Sequence, residues 1–161
     1  MRSFRAWDKR AASRLDAMAT NSQTVRQRIR EAYQLEAKVI HPPVEVTRFH
    51  PSPTRENYFI TVTRLVAHKR VELLAQAFNQ LGLPLVIIGD GPELPRLKNM
   101  ANSNIRLLGF QSDEKVAELL NNARGFVCAA EEDFGIGIVE AQAAGCPVIA
   151  YGAGGALETV E

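Results

Sequence analysis

From residue 58 onwards, apolar and polar residues follow two different periods. Val71, Leu74, Phe78 and Leu81 recur at steps of three and four, which predicts an amphipathic helix. Around such helices lie short apolar runs that predict buried strands: "YFITV" (58–62), "LPLVIIG", "NIRLLGF", "GFVCAA" and "PVIAY". Strands that are apolar on both faces and alternate with amphipathic helices pack into a parallel sheet covered on both sides. The pattern therefore predicts a doubly wound α/β domain.

Cap and turn residues predict where the helices begin and end. Gly82 is expected to end the helix after the first strand, and Pro92 is expected to begin the next helix. Ser112 is expected to cap a third helix, since its hydroxyl can accept from a free backbone N–H group. The last residues, "GAGGALETVE", predict a loop that opens a further helix.

The first 57 residues have a different pattern, with two amphipathic helices, the second capped by Ser22. Their apolar faces are predicted to hold Phe4, Trp7, Ala11, Leu15 and Met18 in the first helix, and Val25, Ile29 and Tyr33 in the second. "KVI" predicts a short strand, and the prolines after it disfavour helix. We therefore divide the chain into a helical part (1–41), a Pro-rich connector (42–57) and the α/β domain (58–161). We expect the exposed apolar faces near the start to favour self-association.

Composition excludes several classes of protein. The formal net charge of the 161 residues is +1, so no overall field attracts nucleic acid or an anionic membrane. No apolar run approaches the roughly 20 residues that span a bilayer, which predicts a soluble protein. Cys128 and Cys146 lie in apolar sequence without metal-ligand spacing, so we expect buried structural thiols in the reducing cytoplasm.

Candidate ligand-binding residues follow the predicted strands. In an open parallel sheet, ligands bind beyond the carboxyl ends of the strands. Arg64 and Lys69 follow the first strand, and Gly89 and Gly91 follow the second. Glycines at 135 and 137 follow the fourth strand, and glycines at 152, 154 and 155 follow the fifth. Arginine, lysine and free amides at a helix start supply the donors that a diphosphate requires. The alternative for Arg64 and Lys69 is a pair of solvated loop charges.

Two carboxylates lie beside this predicted phosphate site. Glu132 precedes a predicted helix and Glu140 lies within its first turns, where Ile138 and Val139 make an unpaired charge costly. Carboxylates accept hydrogen bonds, which suits the hydroxyl groups of sugars rather than phosphate. Sugars on both sides of a diphosphate describe a nucleotide sugar. The alternative is that Glu140 is a helix-face charge and Glu132 a loop charge.

A nicotinamide-dependent enzyme is a further alternative. Gly89 and Gly91 in "GDGPEL" have the first spacing of a dinucleotide fingerprint, but Leu94 occupies the place of its third glycine. No P-loop, zinc spacing or Ser-His-Asp order is present. The histidines at 41, 50 and 68 are scattered, and we expect them to be solvated.

Six segments together resemble the retaining glycosyltransferases of family 4, which have the GT-B fold: "ATNSQTVRQRI", "VIHPPVEVTRF", "TVTRLVAHKR", "IIGDGPEL", "IRLLGF" and "EEDFGIGIVEAQAAGCPVIAYGAGGALETV". The sequences of these segments are most similar to those of bacterial and archaeal mannosyltransferases of O-antigen and exopolysaccharide synthesis. Two features depart from the family pattern. Ala129 and Ala130 replace a usual Pro-Ser, and Gly137 stands where related proteins commonly carry proline.

The resemblance implies roles for matching positions. Arg64 and Lys69 would bind the diphosphate and stabilise the leaving group, Glu132 would hold the transferred sugar, and Glu140 would hold the ribose. The implied catalytic residues are Arg64, Lys69 and Glu132, and the implied donor-binding residues are Gly89, Leu108, Gly109, Phe110, Phe134, Gly135, Ile136, Gly137, Ile138 and Glu140. Transfer would proceed with retention, by attack on the face from which the leaving group departs, without metal or other cofactor.

The resemblance also implies how the whole protein is organised. Residues 1–41 would be the end of an acceptor-side domain, and 58–161 an incomplete Rossmann-like domain that stops before its last strand and helices. The donor would be GDP-mannose or a UDP-hexose, and the missing first domain would bind a glycan or lipid-linked acceptor. We expect a cytoplasmic enzyme, in full length peripheral to the inner membrane face, and an isolated chain that is inactive. The alternative is a noncatalytic nucleotide-sugar-binding or interaction module.

Overall fold

The computed structural model describes the backbone of residues 2–160 and the side chains of residues 4–160. The chain divides into two compact units, one up to Pro43 and one from Val44 onwards. Among the described residues, none of the helices has both the length and the hydrophobicity required to cross a membrane. The two units are described separately below.

The first unit contains two helices and a minimal parallel sheet. Its elements are α1 (Arg2–Ala12), β1 (Ala19–Thr20), α2 (Gln23–Tyr33) and β2 (Lys38–Val39), with β1 paired to β2. The predicted cap of α2 is confirmed, since the Ser22 hydroxyl accepts a hydrogen bond from the Val25 amide at 3.1 Å. The Tyr33 hydroxyl donates to Asp8 at 2.8 Å and ties α2 to α1.

The first helix is shorter than its sequence pattern predicts. It ends at Ala12, so Leu15 and Met18 do not lie on it and the prediction of a five-residue helical face is wrong. The Ser13 hydroxyl donates to the Arg10 carbonyl at 3.0 Å. Such a local side-chain bond competes with helical backbone bonding and favours a turn. Phe4 and Trp7 remain largely exposed on α1.

The second unit is built on a five-stranded, wholly parallel sheet, as predicted. Its strands are β3 (Phe59–Val62), β4 (Leu85–Ile88), β5 (Ile105–Gly109), β6 (Gly125–Cys128) and β7 (Val148–Ala150). Their spatial order is β5-β4-β3-β6-β7, so the chain builds one half outward from β3 and then returns to build the other half from β6. The point where the direction reverses, between β3 and β6, is the topological switch point.

Helices connect the strands, and most predicted ends are confirmed. They are α3 (Val71–Leu81), α4 (Leu94–Met100), α5 (Asp113–Asn122), α6 (Ile136–Ala143) and α7 (Ala156–Thr159). Gly82 ends α3 in a left-handed conformation, and Ser112 caps α5 by accepting from the Lys115 amide. The prediction that Pro92 begins α4 is wrong. A turn closed by the bond from the Leu94 amide to the Gly91 carbonyl precedes that helix.

Alternating residues of each strand fill two apolar clusters, one on each face of the sheet. On β4, Val86 and Ile88 belong to one cluster and Leu85 and Ile87 to the other, and all four are at most 2% exposed. Burial of both faces explains why the sequence of this strand is a continuous apolar run.

The segment predicted as an interdomain connector packs, from Val44 onwards, with the second unit. A short 3-10 helix spans Val46–Arg48, and Phe49 after it is buried in the core against the sheet. The Arg55 guanidinium binds carbonyl groups at the ends of two helices. This segment is therefore an integral part of the α/β unit.

Candidate functional site

The loops that follow β3 and β6 meet at the switch point. β3 and β6 are neighbours, paired through Phe59 with Gly125 and Ile60 with Phe126. Parallel strands end at the same edge of the sheet, so the loop carrying Lys69 faces the loop carrying Glu132. The sequence analysis assigned both residues to the site, and the topology brings them together.

Lys69 and Glu132 form an ion pair across this edge. The Lys69 Nζ atom lies 2.6 Å from Glu132 Oε2, and the two side chains are only 17% and 18% exposed. A partly desolvated pair in direct contact is held firmly, because either charge alone would lose hydration without compensation. The two predicted catalytic groups therefore neutralise each other.

Glycines of the loop after β7 support the backbone of Glu132. The Gly155 amide donates to the Glu132 carbonyl at 2.6 Å. A Cβ atom on Gly154 would lie 2.4 Å from that same carbonyl oxygen, and one on Gly155 would lie 2.5 Å from the Phe134 Cα atom. This close approach requires glycine at both positions. The glycines of "GAGG" therefore allow the loop after β7 to pack directly against the backbone of the Glu132 loop.

A pocket of about 340 Å³ lies at the ends of β3 and β4, and its lining includes neither Lys69 nor Glu132. Four of the predicted site residues line it: Arg64, Gly89, Phe110 and Glu140. Arg64 and Phe110 are exposed, and Phe110 extends a ring that is 82% accessible. An exposed ring beside a carboxylate and an arginine suits a flat aromatic base attached to a ribose and a phosphate.

Leu108 and Gly109 belong to β5 rather than to the wall of this pocket. Leu108 is half-buried and packs against the core. Gly109 has a φ of +68° and turns the chain at the end of the strand.

Glu140 lies on α6 and is held by an arginine that the sequence analysis did not single out. Arg48 pairs with Glu140 and also lies 3.3 Å from Asp113, the first residue of α5. Burial raises the pKa of the Glu140 carboxyl, and the charge of Arg48 opposes that rise. Arg48 and Glu140 are 92 positions apart, and no periodicity connects them. The one available signal was the need for a cation beside an acid in apolar sequence.

α6 begins at Ile136, shortly after the loop that carries Glu132. Gly135 precedes the helix with a φ of +90°, which favours glycine. The Ile138 amide donates to the Gly135 carbonyl at 2.9 Å and is thus engaged within the helix. The amides of Gly135, Ile136 and Gly137 precede this first helical bond and are the remaining candidates for an anion, while the Phe134 ring is buried.

The two cysteines have different surroundings, and neither forms a disulfide. Cys146 is buried, which raises the pKa of its thiol to about 11. Cys128 is half-buried, with Sγ 3.8 Å from Glu132 Oε1. Burial raises its pKa as well, so this thiol stays protonated beside the carboxylate.

Comparison with known proteins gives consistent matches. Residues 45–161 match the family described as Glycosyl transferases group 1. A GDP-mannose-dependent alpha-(1-6)-phosphatidylinositol monomannoside mannosyltransferase of Mycobacterium tuberculosis is 30% identical, over 95% of this chain and 48% of that protein. A GDP-mannose-dependent alpha-mannosyltransferase of Corynebacterium glutamicum is 38% identical, over 62% of this chain and 24% of that protein.

Among solved structures, HepE of Anabaena in complex with UDP-glucose has the same fold. Its TM-score is 0.84 at 24% identity, over 98% of this chain and 50% of that one. The chain thus spans about half the length of the mycobacterial relative and of HepE.

Proposed function

Because the chain belongs to the glycosyl transferases group 1 family, we propose that it is the donor-binding part of a glycosyltransferase. The enzyme moves a hexose from a nucleoside-diphosphate sugar to a glycan or lipid-linked acceptor. The observation that carries this proposal is the Lys69–Glu132 pair at the switch point, on the sheet whose β3 and β4 end at a pocket lined by Arg64 and Glu140.

Each charged group of the site has a distinct task in this proposal. Arg64 and Lys69 bind the diphosphate, together with the first amides of α6. As the bond between the sugar and the diphosphate breaks, negative charge grows on the leaving oxygen, and fixed cations stabilise that charge more than they stabilise the ground state. When Lys69 turns towards phosphate, Glu132 is freed to accept from hydroxyl groups of the sugar.

We further propose that transfer retains the anomeric configuration and requires no metal. The acceptor oxygen attacks the anomeric carbon from the face that the diphosphate leaves, and its proton passes to the departing phosphate oxygen. The charge that a metal ion would neutralise is met by Arg64 and Lys69. These two cations support our proposal that the whole enzyme works without a metal.

Mannose is the favoured sugar and GDP the favoured nucleotide. Support comes from the mycobacterial and corynebacterial relatives, both of which are named as GDP-mannose-dependent. HepE was solved with UDP-glucose, so UDP-hexoses are the alternative that the experiment includes. The 161-residue chain alone is expected to bind the donor without transferring its sugar.

Calorimetric titration of the chain with GDP-mannose, UDP-glucose and NAD, each with and without EDTA, tests the proposal. We expect one nucleotide sugar to bind, EDTA to have no effect, and NAD not to bind. Selective NAD binding, or no binding by any nucleotide sugar, would contradict the proposal.

Exchange of Lys69 for alanine directly tests whether this side chain binds the donor. The Lys69→Ala chain should bind the chosen donor at least about tenfold more weakly, because one charge-assisted contact to phosphate is lost and Glu132 is left unpaired. Lys98→Ala is the matched control, since Lys98 is exposed on α4, and its affinity should equal that of the unaltered chain. Equal affinities for both variants would refute the assignment of Lys69.

A further inference from the structure

Arg48 joins three separate parts of the α/β unit. It ends the 3-10 helix Val46–Arg48, its guanidinium binds Glu140 on α6, and its Nη1 lies 3.3 Å from Asp113 on α5. Its guanidinium also lies 4.8 Å from the centre of the Phe49 ring, which is buried. The side chain is thereby fixed from several sides, and it lines the same pocket as Arg64 and Phe110.

The arrangement is unusual for a contact that serves stability alone. Arg48 and Glu140 are 28% and 16% exposed, so both are partly desolvated, whereas Asp113 is 81% exposed. The Nε atom of Arg48 is buried and has no hydrogen-bond partner among the described residues. A buried donor without a partner costs about 1–3 kcal/mol, so this placement is not the one that maximises stability.

We infer that Arg48 is a positioning residue of the nucleoside part of the donor site, which fixes the Glu140 carboxylate for the ribose hydroxyl groups. The inference rests on the proposed function, because it assigns a partner to the residue expected to bind ribose. A carboxylate held through one oxygen by a guanidinium keeps the other oxygen in a constant direction, which suits recognition of a vicinal diol.

Arg48 also balances charge within the pocket. The pocket contains three carboxylates, those of Asp90, Asp113 and Glu140, and they would repel a diphosphate. Arg64 and Arg48 are the cations that line it, and Arg64 is reserved for phosphate in the proposed function. Arg48 therefore allows acidic groups that bind hydroxyls to stand near an anionic ligand.

The same geometry acts against protonation of Glu140. Burial raises its pKa, Arg48 lowers it, and Asp113 raises it. Arg64 and Asp90 are the other charged groups that line the pocket. Without Arg48, the pKa of Glu140 rises further, so the carboxylate becomes protonated at a higher pH than in the unaltered chain.

Titration of Arg48→Gln, Arg48→Lys and the unaltered chain with the nucleoside diphosphate of the donor, between pH 5 and 8, tests the inference. We expect Arg48→Gln to weaken binding at pH 7 about tenfold and to lose affinity at a higher pH than the unaltered chain as pH falls. Arg48→Lys should restore the pH profile but only part of the affinity, since it keeps the charge without the fork. Arg124→Gln, with an exposed arginine on the same unit, is the control and should change neither.

A second readout separates failure of this inference from failure of the proposed function. Carbon-detected NMR of the ligand-free chain follows the Glu140 carboxyl, and its pKa should be higher in Arg48→Gln than in the unaltered chain. Equal pKa values would overturn the inference, as would equal affinities and pH profiles. If the unaltered chain binds no nucleoside diphosphate, the proposed function fails and the ribose role of Arg48 fails with it, whatever the titration of Glu140.

Discussion

At Gly89 the turn after β4 touches the loop after β3. A Cβ atom at this position would lie 1.8 Å from the Thr63 carbonyl oxygen, and the backbone has a φ of +134°. Both facts exclude a side chain, because the neighbour is backbone and the conformation is strained for any other residue. The sequence analysis linked this glycine to the donor, and the structure adds that it brings two loops of the pocket together.

We expect Gly89→Ala to lower the free energy of unfolding by about 2–4 kcal/mol, because the turn must move away from Thr63. Urea denaturation measures the change. Gly152→Ala is the matched control, since Gly152 has nothing within 4 Å and no positive φ, and it should stay within about 0.5 kcal/mol of the unaltered chain. A similar effect of both substitutions would contradict the steric explanation.

Tyr58 makes the free energy of unfolding depend on pH in the alkaline range. Its hydroxyl donates to the Leu119 carbonyl at 2.8 Å, and burial raises its pKa from 10.0 to about 12. The neutral phenol is favoured in the folded state, so its contribution is complete below pH 10 and is lost as pH rises to 12. Cys146, whose pKa is about 11 against 9.0, acts in the same direction from pH 9.

The free energy of unfolding of the chain should therefore fall by about 2 kcal/mol or more in the alkaline range. Tyr58→Phe should be slightly less stable at pH 7, because one hydrogen bond is lost, and should show a smaller decline above pH 10. Urea titrations at pH 7, 9, 10 and 11 compare the two chains. An identical alkaline decline in Tyr58→Phe would argue against this role of Tyr58.

At the scale of elements, Arg55 connects the ends of α5 and α6. Its Nη1 donates to the Ala123 carbonyl at 2.9 Å and its Nη2 to the Gly145 carbonyl at 2.6 Å. Carbonyl groups at helix ends lack intrahelical partners and carry partial negative charge. One guanidinium thus serves two helix ends and fixes the segment from Val44 onwards to the α/β unit.

Arg55→Met should lower the free energy of unfolding by about 2–3 kcal/mol, because the charge-assisted bonds at two helix ends are lost. Arg96→Met is the matched control, since the Arg96 side chain on α4 is 63% exposed and pairs with Glu93, the residue before that helix. This substitution should change stability by less than about 0.5 kcal/mol. Thermal unfolding of the two variants measures the difference. Equal effects would contradict a special role for Arg55.

At the scale of the whole chain, every residue assigned to the site lies in the second unit. Arg48, the lowest-numbered of them, follows the boundary at Val44. The exposed Phe4 and Trp7 side chains lie in the first unit. The residues proposed to bind the donor and the residues predicted to favour self-association therefore belong to different units of the chain.

Residues 44–161 alone should bind the donor with the affinity of the 161-residue chain, to within about threefold. The reason is that the pocket, the Lys69–Glu132 pair and the supporting glycines require no residue before Val44. Calorimetry of both chains compares the dissociation constants, and circular dichroism checks that the shorter chain is folded. A folded shorter chain with strongly reduced affinity would show that the first unit contributes to the site.

Local sequence signals determined much of this protein. Gly82, Ser22 and Ser112 mark helix ends through bonds to their own neighbours in sequence, and the apolar run of β4 reports burial on both faces. Signals failed where a local bond replaced the expected one, as at the early end of α1 after Ala12 and in the turn around Pro92. Periodicity reports the average environment of a segment. It does not show which hydrogen bonds form at the ends of that segment.

The pairings within the site were decided by the tertiary structure. Lys69 and Glu132 could be named from their residue types and the strands they follow, but their direct contact requires β3 and β6 to be neighbours. The pairing of Arg48 with Glu140 joins positions 92 apart and depends on how the segment after Val44 folds onto the sheet. Sequence therefore specified the elements and the chemical groups, because these depend on near neighbours. Only the fold specified which charge meets which, because that depends on the order of strands.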